Sequence, residues 1–423
     1  MANADPSPPN IGLLLTGGGA RAAYQVGVLK ALAELYRSRD PGRRSSPFSI
    51  ITGTSAGAVN AAALACGADD FELAVRRIVK VWRNVQAGQV YEADLLSVLR
   101  SGARWMSLLS LGWLVARWRR IKPRSLLDNT PLAALLREMV PLERLPELIA
   151  QGHLQALAVT ASSYSSGHHV TFFEGAEHLQ PWVRSQRLAV RDRITHEHLL
   201  ASSAIPFVFP AQELPINGGS EYFGDGSMRQ TAPVSPTIHL GAERILIVGA
   251  GRMAEPRDTL TRSAPGGYPS LAQIAGHAMS SIFLDALAVD IERIRRINQT
   301  LSLIPREARQ ASALRPVELL VISPSERLDQ IAAQHADSLP NPVRSLLGGL
   351  GVSSSRDDVK GGALASYLLF EADYTRKLMA LGHADALRQE DEICRFFGWE
   401  LVPPGPRTGR TKIAGYPSKE ALS

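Results

Sequence analysis

The sequence predicts an α/β fold with a mainly parallel central sheet and helices on both faces. Three observations carry that prediction. Short apolar runs at 11–16, 245–249 and 317–322 lack the in-out alternation of a strand with one wet face, so both of their faces are buried. The runs at 11–16 and 48–52 each enter a glycine-rich turn and then a helical pattern, the alternation that builds a parallel sheet. The composition, 45% hydrophobic and 20% charged over 423 residues, supplies a large core and excludes a wholly disordered, collagen-like or coiled-coil chain.

In chain order, residues 1–9 predict a disordered N-terminus, followed by a strand over 11–16. A helix over 22–36 places Val26, Leu29, Ala33 and Tyr36 on one face. After a loop over 37–47, the short strand 48–52 runs into a helix of small residues over 56–65. Residues 71–150 read as a helical insert punctuated by Pro123, Pro131, Pro141 and Pro146. Strands resume at 154–161 and 169–173, and again at 245–249 and 317–322. A long helix over 275–298 carries Ile282, Leu287, Ile291, Ile294 and Ile297. A Pro/Gly/Ser-rich loop is expected over 340–362, helix over 367–397, and a disordered tail over 403–423. The expected division is a main α/β region over 10–250 and a helical C-terminal extension over 251–402 packed on it.

The net charge of +6 is a local feature. Between residues 95 and 127 lie seven cations (Arg100, Arg104, Arg117, Arg119, Arg120, Lys122, Arg124) and no acid, which leaves 39 cations against 40 acids elsewhere. The same stretch holds Trp105, Trp113 and Trp118 among aliphatic residues. Indole rings beside arginines suit a membrane interface, where the rings sit at headgroup depth and the cations meet phosphates. A nucleic-acid surface would interleave its cations with exposed polar residues, so no nucleic-acid partner is expected. Plain packing of a helical insert with snorkelling arginines is the competing reading. The longest charge-free apolar run there, 105–116, has 12 residues and spans roughly 18 Å, too short to cross a bilayer. With no secretory leader at the N-terminus and only Cys66 and Cys394 present, the expected location is cytoplasmic, with peripheral attachment to a membrane.

Chemistry concentrates in the first two turns. Gly53-Thr54-Ser55-Ala56-Gly57 puts a serine between two glycines where a strand passes into a helix. Such a nucleophile elbow lifts the hydroxyl out of the sheet, while the glycines let backbones pass closely. A tight turn with a capping serine would look the same locally. Gly17-Gly18-Gly19-Ala20-Arg21-Ala22 also joins a strand to a helix, and its N–H groups can converge on one small anion. That anion could be a dinucleotide pyrophosphate or the oxyanion of an acyl-transfer intermediate. A dinucleotide site expects an acid at the end of the next strand; here that strand ends in the serine turn, which favours the oxyanion hole. None of the ten histidines stands in a pattern that marks a partner for Ser55, and His196 with His198 lacks a third ligand at metal spacing. Asp225, in Gly224-Asp225-Gly226-Ser227, is the better partner, although an isolated Asp-Gly is usually a simple turn.

Together, GGGAR, GTSAG 36 residues later and the downstream Asp-Gly resemble the patatin-like phospholipase family, as does the run 201–210 (ASSAIPFVFP). The resemblance covers roughly residues 10–250. It implies Ser55 as nucleophile and Asp225 as its sole partner in a Ser–Asp dyad. It also implies Gly17, Gly18 and Gly19 as the oxyanion loop with Arg21 beside them, and Gly53 and Gly57 as the elbow glycines. Ala22 and Ser227 depart from residues the family often uses, without touching the reacting groups. The implied activity is hydrolysis of acyl esters of phospholipids or lysophospholipids through an acyl-serine, with no metal and no cofactor. The tryptophans and Arg117, Arg119 and Arg120 would meet the membrane. An acyltransferase using the same acyl-Ser55 and a catalytically silent membrane-binding module are the rival expectations. For the dyad to work, the carboxylate must be made more basic by burial, and the alkoxide must be stabilised by the glycine N–H groups and the helix behind Ser55.

Overall fold

A computed structural model describes residues 9–92, 125–216, 218–252, 286–310, 314–349 and 362–399, with a few isolated positions between them. The expected disordered ends therefore fall almost wholly outside the described residues, as do Trp105, Trp113, Trp118, Arg117, Arg119 and Arg120.

Ten strands form one sheet among the described residues: β1 (Ile11–Leu15), β2 (Ile50–Thr54), β3 (Ala156–Ser163), β4 (His169–Gly175), β5 (Val183–Arg184), β6 (Arg187–Arg191), β7 (Gln212–Ile216), β8 (Gly219–Asp225), β9 (Arg244–Val248) and β10 (Glu318–Ile322). The order is β10-β9-β1-β2-β3-β4-β6-β5, with β8 paired to β3 and β7 to β8. Every neighbouring pair from β10 to β3 is parallel. Beyond β3 the sheet becomes mixed, β4 and β8 both running antiparallel to β3. The fold is thus α/β with a mostly parallel centre.

Successive side chains of β1 point to opposite faces, and each face meets its own helices. Leu13 and Leu15 join one core with α1 (Ala23–Arg39), α2 (Ala56–Ala65), α3 (Phe71–Asn84) and the C-terminal helix Ala372–Arg388. Leu14 joins a second core with Leu287, Ile291 and Ile294 of the helix Ala286–Ser302. The 10–250 and 251–402 regions share this sheet, because β9 and β10 lie side by side in register from Arg244 with Glu318 to Val248 with Ile322. Residues Ala372–Arg388 also press directly on α1. A Cβ on Gly27 would stand 2.0 Å from the Met379 carbonyl oxygen, and one on Gly382 would stand 2.1 Å from that of Tyr24. Only glycine lets these two helices approach backbone to backbone.

Two expectations differ in detail. The segment read as a loop over 340–362 contains a helix, Asn341–Gly349; Pro342 sits in its first turn, where a missing N–H costs nothing. The helix expected over 367–397 is divided into Gly362–Leu368, Ala372–Arg388 and Glu390–Phe397. The last of these opens on Glu390, Asp391 and Glu392, acids that favour a fresh helix N-terminus.

Candidate active site

Ser55 is the single residue between β2 and α2, and its backbone is left-handed, with φ 56° and ψ −135°. A side-chain-bearing residue there costs about 1–3 kcal/mol, a strain that clusters at functional sites. Glycine is required on both sides. A Cβ on Gly53 would lie 2.5 Å from the Gly57 carbonyl oxygen, and one on Gly57 would lie 2.4 Å from that of Leu15. The Ser55 side chain makes no capping bond to α2. Its hydroxyl is therefore not spent as a helix cap, which removes the simplest alternative account of the motif. The Ser55 N–H donates to Ser202 Oγ at 2.9 Å, and Ser202 Oγ donates to the Thr160 carbonyl at 2.6 Å. One hydroxyl from the ASSAIP run thus ties the elbow to β3.

Asp225 reaches the same point from the opposite direction. β2 pairs with β3 up to Thr54 beside Thr160, and β8 takes over the pairing with Asp225 beside Ala161. Since β4 fills the other edge of β3, β2 and β8 share one edge and point their C-terminal ends at each other. Asp225 is fully buried, and that burial raises its carboxyl from the ordinary 3.8 to about 6. The Ser55 hydroxyl lies within reach and, with Ser227, opposes part of the rise. The Ser227 N–H donates to Oδ1 at 2.8 Å, while Oδ2 is buried with no hydrogen bond among the described residues. The Ser55 side chain and the Asp225 carboxyl are thus neighbours where β2 and β8 meet on β3. The Asp-Gly turn is braced by Asp225 N–H to Ala204 O (2.9 Å) and Gly226 N–H to Ser202 O (3.2 Å). Burial pushes His169 down to about 4, so it is neutral and its Nε2–H donates to Gly226 O at 3.0 Å. Its role is to hold the turn. No histidine hydrogen-bonds Ser55 or the Asp225 carboxylate among the described residues.

The glycine loop lies across the end of β1. No group among the described residues accepts the N–H of Gly17 or Gly18, and Gly19, with φ +54°, lines the same cavity as Ser55. A Cβ on Gly19 would stand 2.3 Å from the Tyr367 carbonyl oxygen, so the C-terminal segment presses the loop into place. Arg21 turns to that segment too. Its Nε donates to Ser366 Oγ at 2.7 Å, and its guanidinium stacks 4.1 Å over the Tyr367 ring. Any effect of Arg21 on the site is exerted through the position of the loop. Gln25 adds a second anchor, donating to the carbonyls of Thr16 (2.7 Å) and Val248 (3.3 Å).

Ser55 and Gly19 open on a narrow cavity of about 60 Å³, walled by Val59, Trp82, Leu136, Ile205, Phe209 and Phe370 among others. Ser203 also lines it, with its hydroxyl buried and without a hydrogen-bond partner among the described residues. The sequence pointed at the 201–210 run as a whole without assigning roles to Ser202 or Ser203. The only available signal was a polar pair inside an otherwise apolar stretch. Among the described residues no cluster of side chains could hold a metal ion, and no helix is long and apolar enough to cross a membrane.

The α/β sheet thus carries a strained serine turn and a glycine loop at one apolar cavity, with a buried carboxylate at the end of β8. The family profile for patatin-like phospholipases matches residues 13–238, and the chain belongs to that family. Among solved structures it is similar to VipD from Legionella pneumophila, at 12% identity and a TM-score of 0.32, over 88% of this chain and 67% of that one. It is also similar to human GIVD cytosolic phospholipase A2, at 14% identity and a TM-score of 0.37, over 92% of this chain and 59% of that one. A third similarity is to ExoU of Pseudomonas aeruginosa, at 15% identity and a TM-score of 0.26, over 92% of this chain and 80% of that one. The chain thus spans about two thirds or less of the length of the first two. No curated protein sequence matches it.

Proposed function

We propose that this lipid hydrolase cleaves acyl esters of phospholipids or lysophospholipids through an acyl-Ser55 intermediate, with Asp225 as the only side-chain base. The observation that carries the reading is the meeting of β2 and β8 end to end on β3, which sets Ser55 against a carboxylate made more basic by burial. Asp225 takes the hydroxyl proton as Ser55 attacks the ester carbonyl. The developing oxyanion is met by the glycine-loop N–H groups and the N-terminal end of α2, donors typically worth ~10²-fold or more each in rate. The alcohol leaves with the proton, and water then repeats the sequence on the acyl-enzyme. No metal or organic cofactor takes part in this scheme. The test is lipid mass spectrometry on mixed vesicles, wild type against Ser55→Ala. Release of free fatty acid by the wild type alone supports the reading; equal release by both overturns it.

The lipid surface is the second part of the proposal. The cations and tryptophans of 95–127 supply attraction to anionic headgroups, about 1 kcal/mol per cation and screened over a Debye length of roughly 8–10 Å. Reversing charge at Arg117, Arg119 and Arg120 should lower co-sedimentation with anionic vesicles, and wild-type binding should weaken as salt rises. Binding that ignores both salt and these substitutions would remove this segment from the proposal.

A further inference from the structure

We propose that the acyl channel continues past the cavity over Ser55 into a second cavity behind it, and that Val81, Leu135 and Met139 form the gate between the two. The inference rests on Ser55 being the acyl nucleophile. The first cavity, about 60 Å³, holds only a few water-sized groups and therefore only a short run of methylenes. A long acyl chain must go further. The second cavity, about 420 Å³, lies along the same seam between α3 and the helix Thr130–Met139.

Val81, Leu135 and Met139 line both spaces, and all three are only part-buried. A wall of three side chains anchored on two different helices can part without breaking a backbone hydrogen bond. Methionine, unbranched and with three rotatable bonds, is the most adaptable of them. Behind the wall, the second cavity owes its room to small residues. Ala63, Gly67 and Ala74 line it together with Ile78 and Pro141. Arg77, Lys80, Asn84, Gln89 and Glu138 stand exposed at its rim, so the apolar interior opens to water among polar and charged side chains. The occupant that fits is the distal part of a long saturated or unsaturated acyl chain, entering tail first from Ser55.

Each buried methylene is worth up to about fourfold in kcat/KM, so the rate constant should report how far the chain is admitted. The experiment measures kcat/KM for 4-nitrophenyl esters from butyryl to palmitoyl on the full chain, as wild type, Ala63→Trp and Met139→Ala, with the melting temperature of each. Ala63→Trp fills the second cavity from α2. The wild type should gain with chain length well beyond hexanoyl. Ala63→Trp should cut the palmitoyl-to-butyryl ratio by tenfold or more, and Met139→Ala should raise it. Opposite shifts separate gating from general damage, because lost stability moves both variants the same way. If Ala63→Trp does not fold, Ala63→Leu poses the same question with less volume. An unchanged ratio in folded variants on both sides of the wall overturns the channel while leaving the nucleophile in place. A wild type that cleaves none of the series and takes no fluorophosphonate on Ser55 overturns the nucleophile, and the channel with it.

Discussion

β2 and β8 deliver the proposed nucleophile and base from strands of opposite character. All five residues of β2 are buried, and the strand is flanked by parallel neighbours on both edges. β8 is mostly solvent-facing along its first four residues, and only Phe223, Gly224 and Asp225 enter the core. β2 must end in a glycine-framed elbow, since a Cβ at Gly53 or Gly57 would meet backbone atoms within 2.4–2.5 Å. β8 is held by an antiparallel partner, β7, and by the last three positions of β3. Ser55, the proposed nucleophile, thus follows a strand that is buried throughout. The carboxylate sits at the end of an arm that becomes buried only at its tip. Confinement makes the first position strained, and late burial makes the second basic.

The largest test of this contrast is Ser55→Ala, which should reduce ester hydrolysis by at least about 10³-fold while the melting temperature changes little. Alanine removes one hydroxyl from the strained position and adds no volume. A variant that keeps a few per cent of activity would move the nucleophile elsewhere.

Asp225→Asn should cost about 10²–10⁴-fold in kcat, because the amide cannot take the serine proton. The same variant should be more stable than wild type at neutral pH, and the sign follows from burial. The folded carboxyl holds its proton up to about pH 6, whereas the unfolded one releases it near 3.8. Below about pH 4 both states are protonated and no penalty exists. Between about 4 and 6 wild-type stability falls as pH rises, and above that the penalty is complete, on the order of 3 kcal/mol. Melting curves of the two proteins should therefore converge at pH 4 and separate by pH 8. Over the same window kcat/KM of the wild type should rise to a plateau above about pH 6. A wild type more stable than Asp225→Asn at pH 8, with that advantage lost toward pH 4, would show that Asp225 is held as a stabilised anion and would break the contrast with β2.

Ser202→Ala sharpens it at smaller scale. The variant removes the acceptor of the Ser55 N–H and the donor to Thr160 O, both buried. Leaving two such groups unpaired should cost roughly 1–3 kcal/mol each at most and lower kcat more than KM changes. Calorimetry and steady-state kinetics on this one variant separate an elbow that needs external bracing from one held by its glycines alone; an unaltered kcat would favour the glycines.

Much of this was legible in the sequence, for local reasons. A continuous apolar run between glycines means a strand buried on both faces, and glycine spacing is dictated by backbone sterics within five residues. The turns at Gly17–Gly19 and Gly53–Gly57 and the parallel centre of the sheet follow from that. Strands β5 to β8 were harder to see, because their exposed residues carry no strong hydrophobic pattern.

What the sequence by itself determined is the set of candidate groups and the strained turn that carries Ser55, since these depend on neighbours within a few positions. Only the tertiary structure decided that Asp225 stands at the end of β2, because that rests on β8 and β2 sharing an edge of β3. It alone decided that Ser202 braces an N–H 147 residues away, and that Arg21 turns from the site to Ser366, 345 residues away. It also decided that two cavities share one wall. Such contacts form only when distant segments are packed together, and no local steric rule encodes which segments those will be.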